Sequence, residues 1–161
     1  MLVAVSLALI GSSGVARASG TWTWPVVGPV VRGFDPPNSP YGSGHRGIDI
    51  GAPVGTPVHA PAPGVVTFAG SVAGRLYVTI DHGGGLLSTA SFLSALMVRK
   101  GDLVAQGQVV ALSGTGHAGD LSPDLHFGVR LAGQYVDPLD YLGQVDVSDL
   151  IHLAPFPTAF R

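Results

Sequence analysis

Asp124-Leu125-His126-Phe127-Gly128-Val129-Arg130 is the stretch from which the fold can be read. Leu125, Phe127 and Val129 alternate with Asp124, His126 and Arg130, the period-two pattern of a half-buried strand. Phe127 and its apolar neighbours face a core, so His126 and Asp124 share the opposite face. Outward from here the chain repeats short apolar runs bounded by Gly or Pro. They are Gly64 to Ala69, Leu76 to Ile80, Leu86 to Leu93, Leu103 to Leu112 and Leu125 to Leu131. Their β-branched and aromatic content, short length and close turn spacing predict a mostly β, antiparallel, single-domain fold of sandwich or barrel-like type. With 24 glycines and 13 prolines in 161 residues, long helices have little room; one short helical turn is expected over Pro138 to Leu142.

A second stretch, Gly44-His45-Arg46-Gly47-Ile48-Asp49, places an imidazole and a carboxylate four positions apart among glycines. Together with His126 these are zinc-ligand side chains, and three protein ligands leave a fourth position for water. The cysteine count is 0, so any metal must sit on His, Asp or Glu. Donor atoms around one zinc lie about 2 Å from it and hence ~3–3.5 Å from one another. In a straight strand, residues i and i+4 are ~13 Å apart. A helix would bring them to ~6 Å, but Gly42, Gly44, Gly47, Gly51 and Pro53 disfavour one. The remaining arrangement is a strand bent at or near Gly47, which makes Gly47 part of the site although it binds nothing. Taken alone, H-x-x-x-D with a distant histidine is a weak signal. His59, His82 and His152 are read as surface, turn and tail residues.

Charged residues make up 11% of the chain, hydrophobic residues 46%, and the formal net charge is -2. Nucleic-acid binding, which needs clustered Lys and Arg, is excluded by that balance. Residues Met1 to Ala18 read as a secretory leader: Leu2 to Ile10 is an apolar run, and Ala16-Arg17-Ala18 has a small-x-small cleavage pattern. The run lacks a preceding positive charge, and it is too short to span a bilayer, so no stable membrane span is expected after cleavage. The expected organisation is a signal peptide over 1–18, a leading strand and loop over 19–43, the main domain over 44–142 and a tail over 143–161. Trp22 to Val31 reads as an alternating, aromatic-rich strand, and Tyr41 in the loop before His45 is expected to line the site.

Gly44 to Ile50, followed by Ala52-Pro53-Val54-Gly55-Thr56-Pro57-Val58, resembles the first motif of the lysostaphin-like (LytM-type) zinc endopeptidases. Val98-Arg99-Lys100-Gly101-Asp102-Leu103-Val104-Ala105-Gln106-Gly107 is similar to that family's hairpin. Leu125-His126-Phe127-Gly128-Val129-Arg130 resembles its last motif, and Asp137-Pro138-Leu139-Asp140-Tyr141-Leu142 its domain end. The resemblance runs in order from Trp24 to Leu142, and the chain is identified as a divergent member. It implies the family's duplicated β architecture, a Zn2+ ion, and metalloendopeptidase chemistry on the cross-bridges or stem peptides of bacterial peptidoglycan, outside the cell or in its envelope. Carried over by position, the ligands are His45, Asp49 and His126. Two neutral imidazoles and a carboxylate hold zinc while a bound water loses its proton near neutral pH.

Two positions depart from the family's pattern. Its last motif usually reads His-x-His, and here Asp124 takes the first place. Its Tyr-x-His before the hairpin corresponds to Ala90-Ser91-Phe92, with Phe92 at the histidine. In the family these two histidines orient the water, move its proton and stabilise the transition state. One reading makes Asp124 the general base, as a carboxylate is in other zinc peptidases. His117, in Gly114-Thr115-Gly116-His117, then donates to the developing oxyanion, a contribution worth about 10²–10³ in rate. Asp124 equally fits a supporting role, accepting a hydrogen bond from a ligand histidine or Arg130. The other reading is a zinc-binding relative with impaired catalysis, which holds wall peptides or regulates another hydrolase. The hairpin also resembles that of biotinyl and lipoyl carrier domains, but the single lysine, Lys100, lacks the usual flanks, and an export leader suits a carrier poorly.

Overall fold

The computed structural model describes residues 21–39, 42–117 and 122–143. The expected leader, Tyr41 and the expected tail beyond Gly143 lie outside the described residues. The alternating stretch forms strand β9, Asp124–Leu131, and the other strands assemble around it. In chain order they are β1 (Val30–Arg32), β2 (Ile48–Gly51), β3 (Pro57–His59), β4 (Gly64–Val72), β5 (Arg75–Asp81), β6 (Leu86–Leu96), β7 (Leu103–Val104), β8 (Val109–Ser113) and, after β9, β10 (Gln134–Val136). They make one antiparallel sheet with the path β1-β2-β9-β6-β5-β4-β7; β10 adds to β9, and β8 joins β6 to β3. The fold is therefore mostly β, as the short apolar runs predict.

Register explains the core. Ile48 pairs with Phe127 and Ile50 with Leu125 across β2 and β9, and all four side chains are buried to 1% exposure or less. Val129 continues the same face. Because side chains alternate along a strand, a one-residue slip would expose this whole set, so burial pins the register. Truncating a side chain such as Phe127 to Ala costs about 3–5 kcal/mol.

Three details differ from the expectation. Trp22 to Val31 is not one strand, because Pro25 and Pro29 lack the N–H a ladder needs. Trp22 instead bridges to Leu142, and Trp24 Nε1 donates to the Gly143 carbonyl at 2.8 Å, which ties the two ends of the described domain together. The Leu103 to Leu112 run splits into β7 and β8 at a turn closed by Gln108 N–H on the Ala105 carbonyl, 3.1 Å. Strands β3 and β10, three residues each, are too short to leave a pattern. The expected turn near Pro138 is a 3₁₀ turn, Pro138–Asp140, capped by Asp137, whose side chain accepts from Leu139 N–H. Among the described residues no helix is long and apolar enough to cross a membrane.

One irregularity faces the site. Leu76 pairs with Leu93 and Tyr77 with Ser91, so Phe92 is an extra residue in β6, with φ at 61°. Such a bulge re-aims a side chain, and this one turns Phe92 into a cleft.

Candidate metal centre

Two strands and one bend build the centre. Asp49 on β2 stands directly opposite His126 on β9, which puts their Cβ atoms about 4.5–5.5 Å apart on one face. His45 precedes β2 and is held by paired backbone bonds: Asp35 N–H to the His45 carbonyl at 3.0 Å, and His45 N–H to the Asp35 carbonyl at 2.6 Å. The chain then bends through Arg46 and Gly47, returning the His45 imidazole over Asp49. No other residue fits at Gly47, since an added Cβ would fall on the Phe127 carbonyl oxygen and 2.9 Å from the His126 ring. The bend expected from the spacing is present, and glycine is required there for clearance.

The donor atoms converge. His45 Nε2 lies 3.0 Å from Asp49 Oδ1 and 3.0 Å from His126 Nδ1, and His126 Nδ1 lies 2.8 Å from Asp49 Oδ1. His45 Nδ1–H donates to the Gly33 carbonyl at 2.7 Å, which turns Nε2 towards Asp49 and His126. A ring N–H anchored on a carbonyl is the usual support of a metal-bound histidine. A ring nitrogen and a carboxylate oxygen at this distance share either a proton or a metal ion, and the ~3–3.5 Å spacing of donors on one zinc is nearly met. The residues present fit the metal.

Asp49 and His45 are buried, at 2% and 3% exposure. Burial alone would push the Asp49 carboxyl up. The hydrogen bond and charge of His126, together with His45 and His117, outweigh it and hold the group below the usual carboxylate range.

His117 joins the cluster: its Nδ1 is 3.5 Å from Asp49 Oδ2, and one donor atom from each of His45, Asp49, His117 and His126 lies within 4.8 Å of the others. Phe92 packs edge-on to the His117 ring, with centroids 4.5 Å apart. Asp124 is 2% exposed and is not one of those four donors. Its carboxylate lies under the Gly116 turn, where an added Cβ would come within 2.6 Å of Oδ1. The structure thus brings His45, Asp49, His126 and His117 together, with the Asp124 carboxylate packed against the Gly116 turn that carries His117.

The cluster lines a cleft of about 750 Å³ whose other walls include Tyr77, Thr89, Ser91 and Phe92. At one end Arg46 and Arg130 approach the Tyr135 ring, 6.0 and 5.6 Å from its centroid. Spacing did not point to Arg75, whose N–H donates to the Gly116 carbonyl at 3.0 Å, because its link to the site crosses 41 positions of sequence. His82, expected as a turn residue, does sit at the β5–β6 hairpin. Its ring nitrogens bond the Pro63 carbonyl and Ser88 hydroxyl, each at 2.8 Å, and the ring packs on Trp22 with centroids 4.5 Å apart.

Comparisons with known proteins agree with this picture. An uncharacterized protein of Mycobacterium tuberculosis is 35% identical over 141 residues, covering 83% of this chain and 56% of its own length. The murein hydrolase activator NlpD of Escherichia coli is 35% identical over 127 residues, covering 77% of this chain and 32% of its own length. The chain thus spans about half or less of these relatives. A zinc-containing peptidase from Vibrio cholerae superposes with a TM-score of 0.63 at 30% identity, over 73% of this chain and 39% of that one. Residues 43–138 match the model of Peptidase family M23, and with that match and a β fold shared with a peptidase of known structure, the chain belongs to Peptidase family M23.

Proposed function

We propose that this protein is an exported, zinc-dependent metalloendopeptidase-type domain that acts on the cross-bridges or stem peptides of bacterial peptidoglycan in the cell envelope. The observation that carries the reading is the convergence of His45 Nε2, Asp49 Oδ1 and His126 Nδ1 to 2.8–3.0 Å beside a cleft of about 750 Å³. Membership of family M23 and the likeness to a murein hydrolase activator support the substrate class. His45, Asp49 and His126 would hold the metal, which when bound supplies a Lewis acid and an acidified water.

The protein's own groups do the rest. His117 stands beside the three ligands, where it serves the proton-handling role left open by Phe92 whenever it is not itself bound to the metal, and Asp124 supports the turn beneath it. Arg46 and Arg130 give one end of the cleft a cationic lining suited to peptides that carry carboxylates. In this reading residues 1–18 direct export, 44–142 form the peptidase-type domain and 143–161 are an appendage.

A second reading is favoured by one specific observation: Phe92 and the buried Asp124 occupy the positions of two proton-handling histidines. On that reading the domain keeps metal and cleft, and binds wall peptides or regulates another hydrolase. Digestion of purified peptidoglycan separates the two, using the native chain and its His45→Ala, Asp124→Asn and His117→Ala variants. Hydrolysis predicts peptide release by the native chain and a fall to background in His45→Ala, since the metal and the acidified water it supplies are lost with their ligand. Equal background release from all four, with zinc still bound by the native chain, selects the regulatory reading.

A further inference from the structure

We infer that His117 is a fourth protein ligand that closes the metal site at rest, held in place by Arg75 and Phe92. The inference rests on the zinc reading above and adds a latent state to it. The three imidazoles are arranged as ligands of one ion would be. Ring centroids are 4.8 Å apart for His45 and His126, 5.1 Å for His117 and His126, and 5.8 Å for His45 and His117. Rings bound through nitrogen at about 2.0–2.1 Å have centroids ~3 Å from the ion, hence ~5 Å apart at tetrahedral angles. The carboxylate divides accordingly, Oδ1 facing His45 and His126 and Oδ2 facing His117.

The turn that carries His117 is built to stay there. Arg75 donates to the Gly116 carbonyl at 3.0 Å and lays its guanidinium over the Phe92 ring, 4.9 Å from the centroid. Phe92 is turned inward by its bulge, and a non-glycine residue at φ 61° is strained backbone that persists only where its surroundings hold it. What it gains is the edge contact with His117. Gly116, at φ 79°, lies so close to the Asp124 carboxylate that no side chain fits. Arg75 therefore acts as a positioning residue, through Phe92 and Gly116, on a group that faces the metal.

Four protein ligands make the closed coordination of structural zinc sites, whereas catalytic sites keep one position open. Water reaches the ion only when His117 withdraws, and metal occupancy fixes the Gly114–His117 turn as a wall of the cleft. Hydrolysis by the resting protein is then slow and rises when that turn is displaced.

The test uses the full chain loaded with Co2+, whose visible spectrum reports coordination, and azide as an added ligand. The native protein should give a tetrahedral spectrum that azide leaves unchanged. His117→Ala, with His117→Asn as a second variant in case the first fails to fold, should bind Co2+ at least about 100-fold more weakly, beyond the 10–100-fold typical of outer supports. Its spectrum should respond to azide, and free imidazole should restore the native one. Arg75→Met keeps every ligand and should weaken binding about 10-fold with a partial azide response. An azide-responsive native spectrum, or a His117→Ala spectrum and affinity equal to native, overturns the inference while leaving the three-ligand site standing. A native chain that takes up neither Co2+ nor Zn2+ overturns both.

Discussion

The two halves of the site are built differently. His45, Asp49 and His126 sit on backbone locked by ladder bonds: Asp49 opposite His126 on β2 and β9, and His45 bridged to Asp35. Phe92 sits on a bulge, and His117 on a glycine turn pinned by one arginine. Moving a ligand would mean moving buried strands whose register is fixed by Ile48, Ile50, Leu125 and Phe127. Changing a helper needs only a different residue on a bulge or turn. On the proposed reading, a family fold can therefore keep its metal ligands while the groups that move protons are exchanged around them.

The largest effect that would sharpen this contrast is expected from Phe92→His. The bulge aims position 92 into the cleft, so an imidazole there supplies a proton-handling group, and peptide release should rise by about 10²-fold, at the lower end of general acid–base contributions. An unchanged rate in a correctly folded variant would mean that the helper half does not limit the chemistry. Gly47→Ala attacks the rigid half instead. Its Cβ collides with the Phe127 carbonyl and the His126 ring, and denaturant titration should show a loss of about 1–3 kcal/mol, as overpacking typically costs, together with weaker metal binding. If the variant is as stable as the native chain, the ligand half is looser than its ladders imply.

The smallest effect lies away from the site. Burial lowers the pKa of His82 below the ordinary histidine value, against the opposing pull of the Pro63 carbonyl and Asp81. A lowered folded pKa means the unfolded chain binds the proton first as pH falls. The contribution to stability is therefore complete above the unfolded value, about 6.5, and is lost as pH drops through the folded one. The difference in unfolding midpoint between pH 8 and pH 5 should shrink in His82→Gln; no change would show that protonation of this ring is not coupled to folding.

Much of the fold was legible because it is encoded locally. Alternation in Leu125, Phe127 and Val129 reports a strand whichever partner it finds, and the glycine-bounded runs report turns. Pro25 and Pro29 could have warned against a continuous strand over Trp22 to Val31. The bend at Gly47 followed from the distance that four residues must span. The surroundings of Asp124 were less legible: alternation put it on the same side as His126, but the Gly116 turn that lies over it comes from a loop outside the alternating stretch.

By itself the sequence determined which side chains were available for a metal and that the scaffold was β, since these follow from residue identity and short-range pattern; that two proton-handling histidines are replaced is implied only by the family resemblance. Tertiary structure alone decided that His117 meets Asp49, that Arg75 reaches Gly116 across 41 positions, and that the Gly116 turn closes over the Asp124 carboxylate. Those relations depend on strand register and on one bulge, which bring together residues whose separation along the chain carries no periodic signal.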